Sequence, residues 1–154
     1  MRRAFAALCA VGLLLTVLAP GVAAGGPPDE VTITSTMWSV PDEANVGTFD
    51  VEGTDAICSH GDVYDIGYVF GAFRPGQHRQ ILVTKAFVCS EEDAFLVRMQ
   101  VHEDLAASTE RFTWVIFKGF GAFEGLNGRG SGFTTSDNLA TGPWLNTYEG
   151  FVVD

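Results

Sequence analysis

The chain has 154 residues, 47% of them hydrophobic and 12% aromatic, and its 19 acids against nine lysines and arginines leave a net charge of −10. That apolar content excludes an acidic disordered segment, which lacks the material for a core. The negative balance argues against binding nucleic acid or an anionic membrane by charge, since both need a basic face.

Residues 1–24 have the three-part order of an export signal. Arg2 and Arg3 form a positive n-region, and Ala4 to Ala19 is an unbroken apolar run. After the helix-breaking Pro20 and Gly21, Val22, Ala23 and Ala24 supply a small-residue cleavage site. The run holds 16 residues, short of the ~20 needed to span a bilayer. A cleaved signal-peptide helix is therefore expected, and a secreted, extracellular mature protein with no membrane contact after cleavage. The paired arginines leave the general and twin-arginine routes both open. Cleavage removes Arg2 and Arg3 and leaves 19 acids against seven basic residues, a charge of −12. Cys9 departs with the signal. Cys58 and Cys89 remain, and an even pair in an oxidising compartment is expected to form a disulfide. The loop it closes, about 31 residues, makes the bridge worth roughly 3–4 kcal/mol on chain-entropy grounds.

Residues 25–30, Gly-Gly-Pro-Pro-Asp-Glu, read as a flexible leader, and residues 31–154 as a single domain. Val31–Val40 is rich in Thr, Val and Ile and predicts a strand. A turn at Pro41–Asn45 precedes a short strand at Val46–Glu52, and a loop at Gly53–Gly61 carries Cys58. Asp62–Arg74 places Tyr64, Ile66, Tyr68 and Phe70 at a period of two. Pro75–His78 is a turn; Arg79–Cys89 alternates Ile81, Val83, Lys85 and Phe87 against Leu82, Thr84, Ala86 and Val88. Beyond the acidic turn at Ser90–Asp93, Phe95, Val97, Met99 and Val101 share one face, with Arg98, Gln100 and His102 opposite. Glu103–Glu110 reads as a connector, Arg111–Lys118 as a strand, and Gly119 to Gly132 as a glycine-crowded stretch. Short strands near Gly132–Thr135 and Trp144–Val153 complete the set. Short connections force antiparallel neighbours. The expected fold class is all-β, an eight-stranded antiparallel up-and-down barrel, with a two-sheet β-sandwich as the alternative.

The stretch from Trp114 to Gly132 and the later Asn146-Thr-Tyr-Glu-Gly150 resemble text in allene-oxide-cyclase-like and dirigent-like barrels. Small secreted bacterial members of unassigned function, often with an upstream Cys pair, are closer still. The resemblance implies a barrel and carries over no catalytic residue. Physically, Gly119 and Gly121 suit a strand bending at a barrel corner. Gly125 and Gly128 suit backbone angles other residues avoid, and Phe123 and Leu126 suit a plug at the barrel end.

Sites of chemistry are sparse. His60-Gly-Asp62, His102-Glu103-Asp104 and Glu91-Glu92-Asp93 lack zinc-ligand spacing, and no EF-hand loop occurs, so no metal is expected. Gly130-Ser131-Gly132 is no nucleophile elbow, and the glycine run lacks the lysine of a phosphate loop. No cofactor is expected. A pocket inside the barrel is the stronger idea, because eight strands enclose just enough room for side chains or one small ligand. Tyr64, Tyr68, Phe70, Phe87, Trp114 and Phe117 are the expected barrel-facing or rim aromatics, with Arg98, Gln100 or His102 orienting a polar ligand group. Aromatics so placed are more often plain core, and the Arg98 face serves equally as solvent surface. The first functional expectation is a secreted, non-enzymatic barrel binding a small apolar ligand or an extracellular protein. The second is a cyclase or stereo-directing enzyme, and the third a cell-envelope structural or adhesion protein.

Overall fold

The computed structural model describes residues 26–71, 78–104, 107, 109–139 and 141–154. The predicted signal peptide lies outside the described residues. Among them run strands β1 (Asp29–Trp38), β2 (Val46–Glu52), β3 (His60–Phe70), β4 (His78–Val88), β5 (Ala94–Asp104), β6 (Thr109–Phe120), β7 (Asn127–Thr135) and β8 (Trp144–Val153). Each pairs antiparallel with the next, and β8 returns to β1, so the sheet closes as an all-β up-and-down barrel. The sandwich alternative is overturned: closure leaves no second sheet to stack and no open edge.

Several strands run further than expected from the sequence, because a cross-strand partner extends the ladder; His60 and Gly61, expected in a loop, pair with Asp50 and Phe49, and His78, expected in a turn, pairs with Asp104. Asp29 and Glu30 pair with Val152 and Phe151, so they belong to β1 and not to a leader. Glu103 pairs with Glu110, which absorbs both ends of the expected connector into β5 and β6. The glycine-crowded stretch becomes strand from Asn127 onward.

Residues Gly128, Gly130 and Gly132 of β7 stand opposite Ile116, Trp114 and Phe112 of β6. Gly132 also faces Tyr148 on β8. Large side chains from the flanking strands thus fill the room that β7 leaves empty. This corrects the expected role of Gly128: its backbone is ordinary strand, and an added Cβ would lie 2.8 Å from Ile116 Cδ1. At Gly130 a Cβ would sit 1.9 Å from the Glu149 carbonyl oxygen, the close strand approach that glycine permits where a barrel wall bends. Gly119 lets the end of β6 pass the Phe123 carbonyl, and Gly121, at φ +61°, brings the β6–β7 turn against Glu92 and Asp93. Gly125 takes φ +94°.

The interior has two halves. At one end Phe49, Phe87, Phe95, Phe112, Trp114 and Tyr148 are buried, with ring centroids 5.0 Å apart for Phe49–Phe87 and for the stacked Phe87–Phe95 pair. Phe123 and Leu126 plug this end, and Phe123 meets Phe95 edge-on at 5.8 Å. The Cys58–Cys89 disulfide ties the β2–β3 loop to the end of β4 beside the same cluster. The Ala122 amide, donating to Asp93 Oδ1 at 2.8 Å, fastens the plug to the β4–β5 turn. Interlocked aromatics contribute area burial and roughly 0.5–1.5 kcal/mol per favourable pair beyond it. This end is closed and solid. The other end is not.

Candidate functional site

Towards the opposite end, the inward-facing positions change from apolar to polar. Arg79 of β4, Glu103 of β5, Glu110 of β6, Thr134 of β7, Asn146 of β8 and Ser35 of β1 are successive cross-strand partners. Paired residues project to the same face, so register alone aligns six polar side chains as a band inside the barrel. The band is hydrogen-bonded along its length. The Arg79 guanidinium donates through Nε and Nη2 to both oxygens of Glu103, the Nη2 contact being 2.6 Å. Glu110 hydrogen-bonds with Glu103 and with Thr134. Thr134 Oγ1 donates to Asn146 Oδ1 at 2.9 Å, and Asn146 Nδ2 donates to Ser35 Oγ at 3.1 Å.

A second cluster sits on β3 and β4, further along the strand that carries Arg79. Asp65 of β3 pairs with Lys85 of β4, and the Lys85 ammonium donates to Asp65 Oδ1 at 2.6 Å and to Met37 Sδ at 2.8 Å. Asp65 Oδ2 also accepts from Asn45 Nδ2 at 2.9 Å and from the Tyr68 hydroxyl. Both side chains of the ion pair are about 95% buried. Burial pulls the Lys85 ammonium below the usual lysine range, and Asp65 opposes that shift. Burial, then the hydrogen bond to Asp65, hold the Tyr68 phenol well above its ordinary value.

Between these clusters lies a cavity of about 300 Å³, open at the barrel mouth, at the small end of the range for ligand sites. Asp65, Lys85, Glu103 and Glu110 supply its charged wall, while Met37, Met99, Ile81 and Val101 supply apolar surface. Tyr68, Phe70 and Trp144 line it as well. Arg79 reaches over the Phe70 ring at 5.7 Å. Trp144 is fixed by its indole N–H donating to the Leu139 carbonyl at 3.0 Å. Glu110 is the unusual carboxyl. Burial first, and then the hydrogen bond with Glu103, raise it to about 7, with Thr134 pulling the other way.

The expected pocket residues divide three ways. Tyr68 and Phe70 line the cavity. Phe87 and Trp114 face inward but belong to the packed half, at 0% and 1% exposure. Tyr64, Arg98, His102 and Phe117 lie on the outside, which corrects their assignment as pocket residues. The reason for Tyr64 is a bulge at Ile66: Asp65 pairs with Lys85 and Gly67 with Thr84, so the extra residue reverses the alternation. Tyr64 and Ile66 therefore point out while Tyr68 and Phe70 point in. A second bulge leaves Phe117 unpaired between Ile116 and Lys118, and Arg98 covers its ring at 4.6 Å. His102 alternates with the inward Glu103, so His102-Glu103-Asp104 does not converge. Among the described residues no group of three His, Cys, Asp or Glu is placed to hold a metal ion.

Sequence reasoning missed Asp65, Lys85, Glu103, Glu110, Thr134 and Asn146. A signal existed for three of them. Lys85 follows Ile81 and Val83, Glu103 follows Met99 and Val101, and Asp65 follows Val63, each a charge in the apolar phase of its strand. Comparison with known protein families, characterised proteins and solved structures finds no match for this chain. Among the described residues no helix is long and apolar enough to cross a membrane.

Proposed function

We propose that this protein is a secreted, small-molecule-binding barrel that holds an amphiphilic ligand in the cavity at its open end. The observation that carries the reading is the divided interior: a sealed aromatic half, then a cavity of about 300 Å³ where apolar and charged side chains converge. Buried ionic groups stabilise a fold no better than apolar packing does, so their gathering around a cavity favours recognition over stability. The lining sharpens the expected ligand from an apolar molecule to one with a polar group reaching the carboxyl band. Export is supported by the order of residues 1–24 and by the Cys58–Cys89 bridge.

Methionine methyl NMR tests the binding reading, because the chain has three methionines and two of them, Met37 and Met99, line the cavity. Fragments of on the order of ten heavy atoms are expected to shift both methyl signals. A broad fragment set that moves neither would refute it.

A second reading, a cyclase or isomerase of the kind the barrel resemblance suggests, is favoured by Glu110. A carboxyl titrating at about 7 suits a group that gives and takes a proton near neutral pH. Turnover of a bound ligand, lost in Glu110→Gln with binding retained, would establish it. Binding unaccompanied by turnover leaves the first reading.

A further inference from the structure

With Glu110 ionised, the charges lining the cavity do not balance. Three carboxyl side chains, Asp65, Glu103 and Glu110, face two cations, Arg79 and Lys85. Both cations are committed. Arg79 takes both oxygens of Glu103, and Lys85 is held on Asp65 at 2.6 Å. Glu110 belongs to neither of these two ion pairs. Its hydrogen bonds go to a second carboxyl and a hydroxyl, neither of which supplies positive charge. Around the same cavity stand three aromatic rings, Tyr68, Phe70 and Trp144. One of them already receives a cation on its face, since the Arg79 guanidinium lies over Phe70. Rings and a carboxylate around one small cavity attract a cation by the ring quadrupole and by direct charge.

An anionic ligand meets the opposite situation. To reach a cation it would have to displace Glu103 from Arg79 or Asp65 from Lys85, stranding a buried carboxylate each time. A neutral ligand finds hydrogen-bond partners but leaves the excess negative charge uncompensated.

We propose that the cavity selects a small organic cation, an aromatic or aliphatic amine whose ammonium pairs with Glu110 while its apolar part lies against Trp144, Phe70 and Met37. This rests on the reading of the open end as a binding site and names the chemical class it takes. Recognition is pH-dependent, because Glu110 must lose its proton to bind. The groups facing it are Glu103 from β5, Thr134 from β7, Arg79 and Lys85 from β4, and Asp65 and Tyr68 from β3. With the carboxyl titrating at about 7, the competent fraction rises about tenfold between pH 6 and pH 8, and affinity rises with it. An amine with an ordinary pKa stays charged throughout that range.

The test is a set of three near-isosteric probes, phenethylamine, 2-phenylethanol and phenylacetate, titrated by calorimetry while the Met37 and Met99 methyl signals are followed. The amine is expected to bind tightest and shift both methyls. Its affinity should rise about tenfold from pH 6 to pH 8. In Glu110→Gln, checked for folding by circular dichroism, it should fall about tenfold at pH 8 and lose its pH dependence. Glu110→Asp, which keeps the charge, should recover part of the loss. If the alcohol or the carboxylate shifts the methyls with equal or greater affinity, the cation assignment is overturned and the binding site stands. If none of the three moves either methyl, the cation assignment falls, and a wider fragment set decides the site. Amine binding unchanged in Glu110→Gln also overturns it.

Discussion

Replacing Lys85 by methionine tests whether the polar half of the barrel is organised around ion pairs. The substitution keeps an unbranched chain of similar length and removes the ammonium. In the native protein that ammonium contacts Asp65 Oδ1 at 2.6 Å with both groups about 95% buried. Its loss leaves a buried carboxylate with two neutral donors, Asn45 Nδ2 and the Tyr68 hydroxyl. Breaking one side of a buried pair costs about 3–5 kcal/mol, and the two remaining donors place this case near 3 kcal/mol. The double variant Lys85→Met with Asp65→Leu removes both charges and should recover to within about 1 kcal/mol of wild type, because a matched apolar pair is nearly neutral. Equilibrium urea unfolding at pH 7, compared at equal m, reads both values. A Lys85→Met cost below about 1 kcal/mol, or strictly additive single and double variants, would refute the reasoning, since groups in contact must couple.

Three further outcomes are expected. Glu110 titrates at about 7 in the folded chain against an ordinary 4.5, so the native state binds the extra proton and stability falls as pH rises between those values. Discounted for partial exposure, the loss is about 1–2 kcal/mol; Glu110→Gln should match wild type below about pH 4, under the unfolded value, and exceed it by that amount at pH 8 in urea unfolding. Replacing both Cys58 and Cys89 by alanine should lower stability by about 3–4 kcal/mol, from the entropy released to an unfolded chain no longer cross-linked, read as a lower urea midpoint. Gly130→Ala meets the Glu149 backbone at 1.9 Å, whereas Gly128→Ala meets the movable tip of Ile116 at 2.8 Å. The first should cost about 2–3 kcal/mol and the second less, with Ile116→Val relieving only the second, as thermal unfolding would show.

Strand phase was legible residue by residue, because a half-buried strand must alternate. Ile81, Val83 and Phe87, or Phe95 through Val101, read correctly as one inward face. Phase failed where the backbone slips by one residue. The bulge at Ile66 sends Tyr64 outward and Tyr68 inward from what looks like a single aromatic face. Gly128 and Gly130 read as part of a glycine-crowded stretch and not as strand, because glycine disfavours strands in isolation. The glycines of β7 are strand here because Phe112, Trp114 and Tyr148 on neighbouring strands occupy the space they leave.

The site was less legible for the same reason on a larger scale. Lys85 and Glu103 are visible as charges in an apolar phase, but their partners are set by register. The band from Arg79 to Ser35 joins residues from six strands, and no single stretch of chain contains enough of it to be recognised. Polar residues sought on the polar face of a strand, Arg98 and His102, are the ones that meet solvent. In this closed barrel the charges that converge are those in the apolar phase of their strands.

The most direct test of the open end as the binding site is a crystal structure of residues 25–154 soaked with phenethylamine. The expected result is density in the cavity, flanked by Trp144 and Phe70, with its nitrogen within hydrogen-bond distance of Glu110. Density confined to the outer wall, or a cavity closed by inward collapse of Arg79 and Trp144, would contradict it.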